Sequence, residues 1–467
     1  MPPLTERISS LLEKYVLDFY STCSLHIPRL DIAFLLQWVI MILQIVRFLS
    51  DAYVPYNWDN RAARVLFSMA DFVTEIPWVS PMTAYFMTLS FCFYMLVLSV
   101  GSMLLHKYFS WTRPLTLLQL HLSTLHVLYM PRILPHLKMI LPCLSYSLDS
   151  HVSNPFYPDL ACWSNSYNAY FVVSVTTGVL VFLQSYLSST CLYLAEIPHD
   201  LQRRNHPLHS KHSSSADSRM ILVVSVLLIL NVAGHNSTWR LAMGALAFLF
   251  GVALVLHLAM TMNFWHDTAM ALYLFLALTL AWTGVIAMVS VAFDSARGTD
   301  VLYFVILPVL FLGAHMLLRW RTATAAAMRE SELTSPALAV VKIRCMLSQY
   351  FRWIAQFGDV YIVADAELET QREHCYEQIE RVIEVATRRF PDSAELFVLS
   401  AQFYLFLRRQ RTNAYRYLSL AERAGGNLGH RVQCHLLRSQ LRAAMVMEES
   451  KTIRAYNEFK AKKQVCC

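Results

Sequence analysis

The segment Asn263-Phe264-Trp265-His266-Asp267 places an imidazole beside a carboxylate between two apolar stretches. Such a pair moves protons only when its members are held within hydrogen-bond reach. Neighbours on a turn seldom point together, and a Trp between apolar stretches is typical of an anchor at a membrane interface. No catalytic residue is therefore assigned. The chain also lacks a phosphate-cradling Gly-rich motif, a nucleophile elbow and a His-Glu-x-x-His pair, so no enzymatic activity, cofactor or metal is expected. Arg132 and Lys138 are the most unusual charges, because they interrupt an otherwise apolar run, and they are candidates for contact with lipid headgroups or an anion. His121, His126, His257 and His315 also lie in apolar stretches. A lone imidazole there is read as a hydrogen-bonded packing residue.

The cysteines divide by context. Cys143 and Cys162 bracket a loop without Lys or Arg, expected on the outer side, where an oxidising compartment permits a disulfide between them. Cys466 and Cys467 follow Lys460, Lys462 and Lys463, a pattern resembling the prenylated ends of small GTPases, and they are candidate lipidation sites.

The elements that carry these residues follow from composition. The 467 residues are 56% hydrophobic and 15% charged, against roughly 45–50% and 25% in soluble globular chains. That balance excludes an ordinary soluble enzyme, a disordered regulator and a nucleic-acid-binding domain. A helix needs roughly 20 apolar residues to cross a bilayer, and eight such runs are present, near residues 30–49, 81–105, 114–135, 167–195, 216–234, 239–262, 268–293 and 300–318. The third is interrupted by Pro131, Arg132, Pro135 and Lys138, so it is expected to be tilted or broken. Residues 1–29 are amphipathic, with Ile8, Leu11, Leu12, Tyr15, Val16 and Phe19 at helical spacing, suited to a membrane interface or to packing on protein.

Lys and Arg set the orientation. With both termini cytoplasmic, the inner segments hold Arg7, Lys14, Arg29, Lys107, Arg113, Arg203, Arg204, Lys211 and Arg219, while the outer loops hold only Arg61, Arg64, Arg240 and Arg297. The expected domains are an amphipathic segment (1–29), a transmembrane domain of about eight helices (30–320) and a cytosolic helical domain (321–467) in a plasma or internal membrane.

Past Arg321 the chain becomes charged and helical, with helices expected over about 336–356 and 368–390. Pro391 stops the second, and Asp392 with Glu395 looks like a capping start for the next. Ala386 and Pro391, then Phe397, Ala401 and Tyr404, then Ala414, Leu418 and Ala421, follow the aromatic and small-residue spacing of tetratricopeptide or half-a-tetratricopeptide helix pairs. Phe397, Tyr404, Arg408 and Arg409 are the candidate partner-binding residues. A few such pairs bury little core alone, so a protein partner or self-association is expected there.

Read in order, several short elements carry a family resemblance. Leu125-His126-Val127-Leu128-Tyr129-Met130-Pro131 with Leu141-Pro142-Cys143, then Cys162-Trp163-Ser164-Asn165, then His206-Pro207-Leu208-His209-Ser210, and finally Phe390-Pro391-Asp392-Ser393 with Phe397 and Tyr404, together resemble the tiny macrocysts complex (TmcB/TmcC) family. Asn165 stands where that family usually has Gly. The resemblance implies a multi-spanning membrane protein with a repeat-type cytosolic domain and no assigned catalytic residues. The combined expectation is an all-α membrane scaffold or signalling component whose partners are lipids and protein, not nucleic acid. A channel or transporter formed by the membrane core is the alternative.

Overall fold

The computed structural model describes residues 14–20, 31–50, 68–69, 79–109, 117–118, 121–122, 128–144, 152–191, 211–213, 215–233, 237–293, 299–357 and 365–442. Cys466 and Cys467, Asn236 of a short Asn-Ser-Thr sequence, His126 and the loop His206 to Ser210 lie outside them. The chain divides into two compact units, one built from residues 23–193 and 205–324, the other from residues 1–22, 194–204 and 325–467.

The first unit is helical: α1 (Asp31–Ser50), α2 (Pro81–Phe109), α3 (Tyr129–Leu144), α4 (Asn165–Cys191), α5 (Ser215–Ala233), α6 (Ser237–Thr261), α7 (Asp267–Phe293) and α8 (Thr299–Ala327), the last ending at the start of the second unit. Among the described residues six helices, α2 and α4 to α8, are long and apolar enough to cross a membrane. The chain is a multi-pass membrane protein by that measure, with six qualifying helices where eight runs were expected. Helix α1 occupies the first expected run, but its described apolar part is only Phe34–Val46. Helix α3 differs more. It begins at Tyr129 rather than near residue 114 and runs through Pro135 and Lys138 to Leu144, the end of the apolar stretch that these residues interrupt. Pro131 sits in its first turn, where a backbone N–H has no intrahelical acceptor and a proline costs nothing.

Helix α7 lies at the centre of the unit. Apolar on every side, it has 61% of its apolar stretch buried, against 17% for α2 and α8, which a membrane-facing position explains. It crosses α6 at close range because Gly244, Gly251 and Gly284 remove side chains from the crossing: a Cβ on Gly251 would collide with the Ala281 backbone, and one on Gly284 with the Phe248 backbone and the Gly244 carbonyl.

The described chain departs from all-helical structure at an antiparallel hairpin, β1 (Ser153–Asn154) with β2 (Tyr157–Ala161), between α3 and α4, and at a single antiparallel bridge between Lys211 and Phe264. Cys143 and Cys162 form a disulfide that ties the end of α3 to the end of β2. Asn154 occupies the gap, its Nδ2 donating to the Lys138 and Met139 carbonyls at 3.2 and 3.3 Å while its Oδ1 accepts from Phe156 N at 2.9 Å. The Tyr157 and Tyr167 hydroxyls donate to the Pro135 and Met139 carbonyls, each at 2.9 Å. Pro142 inside α3 has no N–H to offer the Lys138 carbonyl, and the Asn154 amide takes its place.

The second unit contains α9 (Pro336–Phe357), α10 (Asp365–Arg389), α11 (Ala394–Gln402), a π turn at Phe403–Leu407, α12 (Arg411–Ala424) and α13 (residues 428–442). The cap of α11 is Ser393, whose hydroxyl accepts from Leu396 N, and not the expected Asp392. Ser393 has the extended backbone a cap requires, whereas Asp392 is exposed on the preceding turn. Residues 14–20 are helical and belong to this unit: Tyr20 is buried, Leu17 lies in a recess with Ala421 and Cys434, and Asp18 Oδ1 is 3.0 Å from His435 Nε2. Of the two settings open to the amphipathic segment, this part of it packs on protein.

Candidate functional site

The candidate partner residues come together, but mostly facing inward. Phe397, Ala401 and Tyr404 on α11 and the π turn, with Ala414, Leu418 and Ala421 on α12, are all buried. The alanines let two helices approach while the aromatic rings fill the space between them. Tyr404 stacks on Tyr417 with ring centroids 5.3 Å apart and an interplanar angle of 6°. Burial raises its hydroxyl pKa, and the neighbouring Tyr417 raises it further.

Arg408 is also committed within the chain. Its Nε and Nη2 donate to the two carboxylate oxygens of Glu380 at 2.8 Å each, Nη1 pairs with Glu373, and the guanidinium lies 5.5 Å from the Tyr376 ring centroid. The expectation that Phe397, Tyr404 and Arg408 contact a partner is therefore corrected: the aromatic rings are core, and the arginine clamps the end of the π turn to α10. Arg409 alone of the four is exposed, on a left-handed backbone with φ of 55°. On α12, which follows it, Tyr415, 54% exposed, and Arg416 are also exposed. Tyr415 was not singled out from the sequence. Its displacement by one position from the buried Ala414 was the available signal.

Arg132 and Lys138 are not simple snorkelling side chains. Arg132 is 4% exposed. Its Nη2 donates to Gln184 Oε1 at 2.7 Å and lies 3.6 Å from Cys92 Sγ, Nη1 is 3.5 Å from Ser185 Oγ, and the guanidinium sits 5.3 Å from the Phe91 ring centroid. One turn along α3, His136 is fully buried with Nε2 3.3 Å from Thr88 Oγ1 and its ring edge-on to Tyr85. Lys138 places its ammonium 4.8 Å from the Phe156 ring centroid. Helices α2, α3 and α4 thus meet through polar side chains in an otherwise apolar setting.

A second polar node lies where α5, α6 and α7 begin or end. Lys211 is fully buried, paired with Asp217 in the first turn of α5 and donating to the Ser189 carbonyl at 2.7 Å. Ser215 Oγ is 3.0 Å from His257 Nε2 and accepts from Asn263 Nδ2 at 2.6 Å, while Thr261 bonds Asn263 Oδ1. His212 Nε2 is 2.9 Å from the Met262 carbonyl, and its ring meets Trp265 edge-on. The segment considered for acid–base chemistry thus contributes Asn263 and Trp265 to a structural node. Asp267 opens α7, and the His266 carbonyl accepts from Met270 N at 3.1 Å. His257 matches the reading of a hydrogen-bonded packing residue. The sequence marks Lys211 only as an inner-segment charge and does not single out Asp217, although an Asp three residues into a helix is well placed for the dipole.

No family model, curated protein or solved structure matches the chain.

Proposed function

We infer that the protein is a multi-pass membrane scaffold or signalling component that engages a protein partner through its C-terminal helices. The observation that carries this reading is the division of labour in the α11–α12 hairpin. Its aromatic and small residues are consumed in its own interior, and Arg409, Tyr415 and Arg416 are among the residues that it exposes. Tyr and Arg are the residue types that dominate binding energy at protein interfaces. The hairpin is of the tetratricopeptide-like kind, and both termini are cytoplasmic, as the distribution of Lys and Arg indicates. These features fit the architecture implied by the resemblance to the tiny macrocysts complex family.

The test uses full-length protein crosslinked in native membranes and purified in mild detergent. Tyr415→Ala combined with Arg409→Glu and Arg416→Glu is expected to remove specific crosslinked species while leaving the thermal transition unchanged. Unchanged crosslinks in a stably folded variant exclude this surface as the docking site.

The buried Lys211–Asp217 pair at the start of α5 favours a second reading, because a fully buried ion pair is costly to desolvate and a polar node at the ends of spans can admit a solute or proton. Under it, the purified protein in liposomes conducts a solute or protons, and Asp217→Asn abolishes the flux. Loss of crosslinks without flux separates the first reading from the second.

A further inference from the structure

Arg132 poses an electrostatic problem that the described residues leave unsolved. Its contacts Phe91 and Cys92 lie about 16 Å along α2 from Pro81, at 1.5 Å per residue, well inside the apolar span Pro81–Leu105. A guanidinium at that depth is costly unless an opposite charge accompanies it. Among the described residues its partners are Gln184, Ser185, Cys92 and the Phe91 ring, none of them a carboxylate, and Nε has no hydrogen-bond partner. Neutral acceptors and a π face offset part of the desolvation and none of the net charge.

Beside Arg132 is a cavity of about 540 Å³ between α2 and α3. Its lining includes two cations, Arg132 and Lys138, and no acidic residue. Apart from Thr88 and Tyr157 the rest is apolar, with Ala84, Met87, Phe91 and Leu134 prominent. Met87 and Phe91 also line a second hollow on α2 with Thr83, Phe86, Ser90 and Tyr94, so the apolar wall continues onto the outer side of that helix. Phe86 and Met87 are each about half exposed there, where lipid chains would contact them.

We propose that this cavity binds an acidic lipid, with its phosphate or carboxylate against Arg132 and Lys138 and its hydrocarbon chain along Met87 and Phe91. The anion supplies the charge that Arg132 lacks among its described partners, and the apolar walls select a ligand with a tail. Arg132 and Lys138 are separated along α3 by about 9 Å of rise and about 120° of turn, and both line the cavity, so two long basic side chains can approach one anionic group within it. The proposal is independent of partner docking by the C-terminal helices.

Full-length protein is reconstituted in phosphatidylcholine vesicles containing a trace of diazirine-tagged phosphatidic acid, diazirine-tagged palmitic acid or diazirine-tagged phosphatidylcholine. After photolysis the labelled peptides are mapped. The acidic probes are expected to label residues 81–94 and 128–138 several-fold more heavily than the neutral probe, which reaches only the lipid-exposed side of α2 at Phe86 and Met87. Arg132→Gln is expected to lower that labelling by about tenfold, equivalent to about 1.4 kcal/mol. Because Arg132→Gln can also disturb helix packing, Ala84→Trp fills the cavity from α2 without touching the Arg132 contacts, and it too is expected to abolish labelling. Equal labelling by the neutral probe, or undiminished labelling in a folded Ala84→Trp protein, overturns the proposal. Displacement of the acidic probes by inorganic phosphate alone identifies a soluble oxyanion as the ligand and overturns the lipid assignment.

Discussion

Arg408 grips Glu380 through two parallel hydrogen bonds of 2.8 Å, with the arginine side chain only 11% exposed and the glutamate 24%. This fork closes the π turn onto α10 across 28 residues of sequence. Arg408→Ala is expected to destabilise the second unit by about 2 kcal/mol, since it leaves a half-buried carboxylate unpaired. Arg408→Lys is expected to recover less than half of that loss, because an ammonium cannot reproduce the planar fork. Urea titration of the full-length protein in detergent, followed by far-ultraviolet circular dichroism, distinguishes the variants. Wild-type stability in Arg408→Lys would refute the bidentate reading.

His430 makes the second unit sensitive to acid. Burial pushes its imidazole down to about 4, and Nδ1 has no hydrogen-bond partner. The ordinary value in an unfolded chain is about 6.5. Above that pH the ring is neutral in both states. Between about 6.5 and 4 the unfolded chain takes up a proton that the folded one refuses, so stability falls as pH falls. By pH about 5 the loss is about 2 kcal/mol. Melting curves at several pH values should show wild type losing stability relative to His430→Leu as pH falls from about 7 to about 5, by about 2 kcal/mol if this group is responsible. Parallel curves would assign the acid sensitivity elsewhere.

The glycines of α6 and α7 should tolerate substitution far less than Gly178 of α4. A Cβ on Gly178 meets Ile133 Cδ1 at 3.6 Å and His136 Cβ at 3.8 Å, ordinary contacts, so Gly178→Ala is expected to change stability by less than about 0.5 kcal/mol. Gly251→Leu and Gly284→Leu drive side chains into backbone and should cost about 3 kcal/mol each. Fluorescence-detected gel filtration after a heat ramp provides the comparison, and equal tolerance at all three positions would refute close crossing of the two helices.

Topology is best read from an introduced thiol. Burial raises the Cys375 and Cys434 thiols to about 11 and about 12, so few thiolates are available at neutral pH and their labelling is slow. Arg409→Cys places a thiol on an exposed turn. A membrane-impermeant maleimide is expected to modify it only after permeabilisation. Rapid modification in intact cells reverses the orientation.

Much of the helical framework was legible because its cause is local. A backbone in lipid must satisfy its own hydrogen bonds, so uninterrupted apolar runs such as 239–262 and 268–293 announce helices within a residue or two of α6 and α7. The small and aromatic spacing of Phe397, Ala401, Tyr404, Ala414, Leu418 and Ala421 likewise marked a helix pair whose interior they occupy. Helix α3 was less legible, because the cost of a proline depends on its place in a helix and that start lay between competing breakers.

By itself the sequence determined the helical class, the apolar lengths, the change of composition past Arg321 and the pairing of opportunity at Cys143 and Cys162. Only the tertiary structure decided which charges are spent internally. Arg408 and Arg409 are adjacent and identical in type, yet one is clamped between Glu380 and Glu373 while the other faces outward. Lys211 found Asp217, whereas Arg132 found only neutral partners beside a cavity. The reason is physical: hydropathy is a property of each residue, but the electrostatic fate of a charge depends on what chain folding brings within a few ångströms of it.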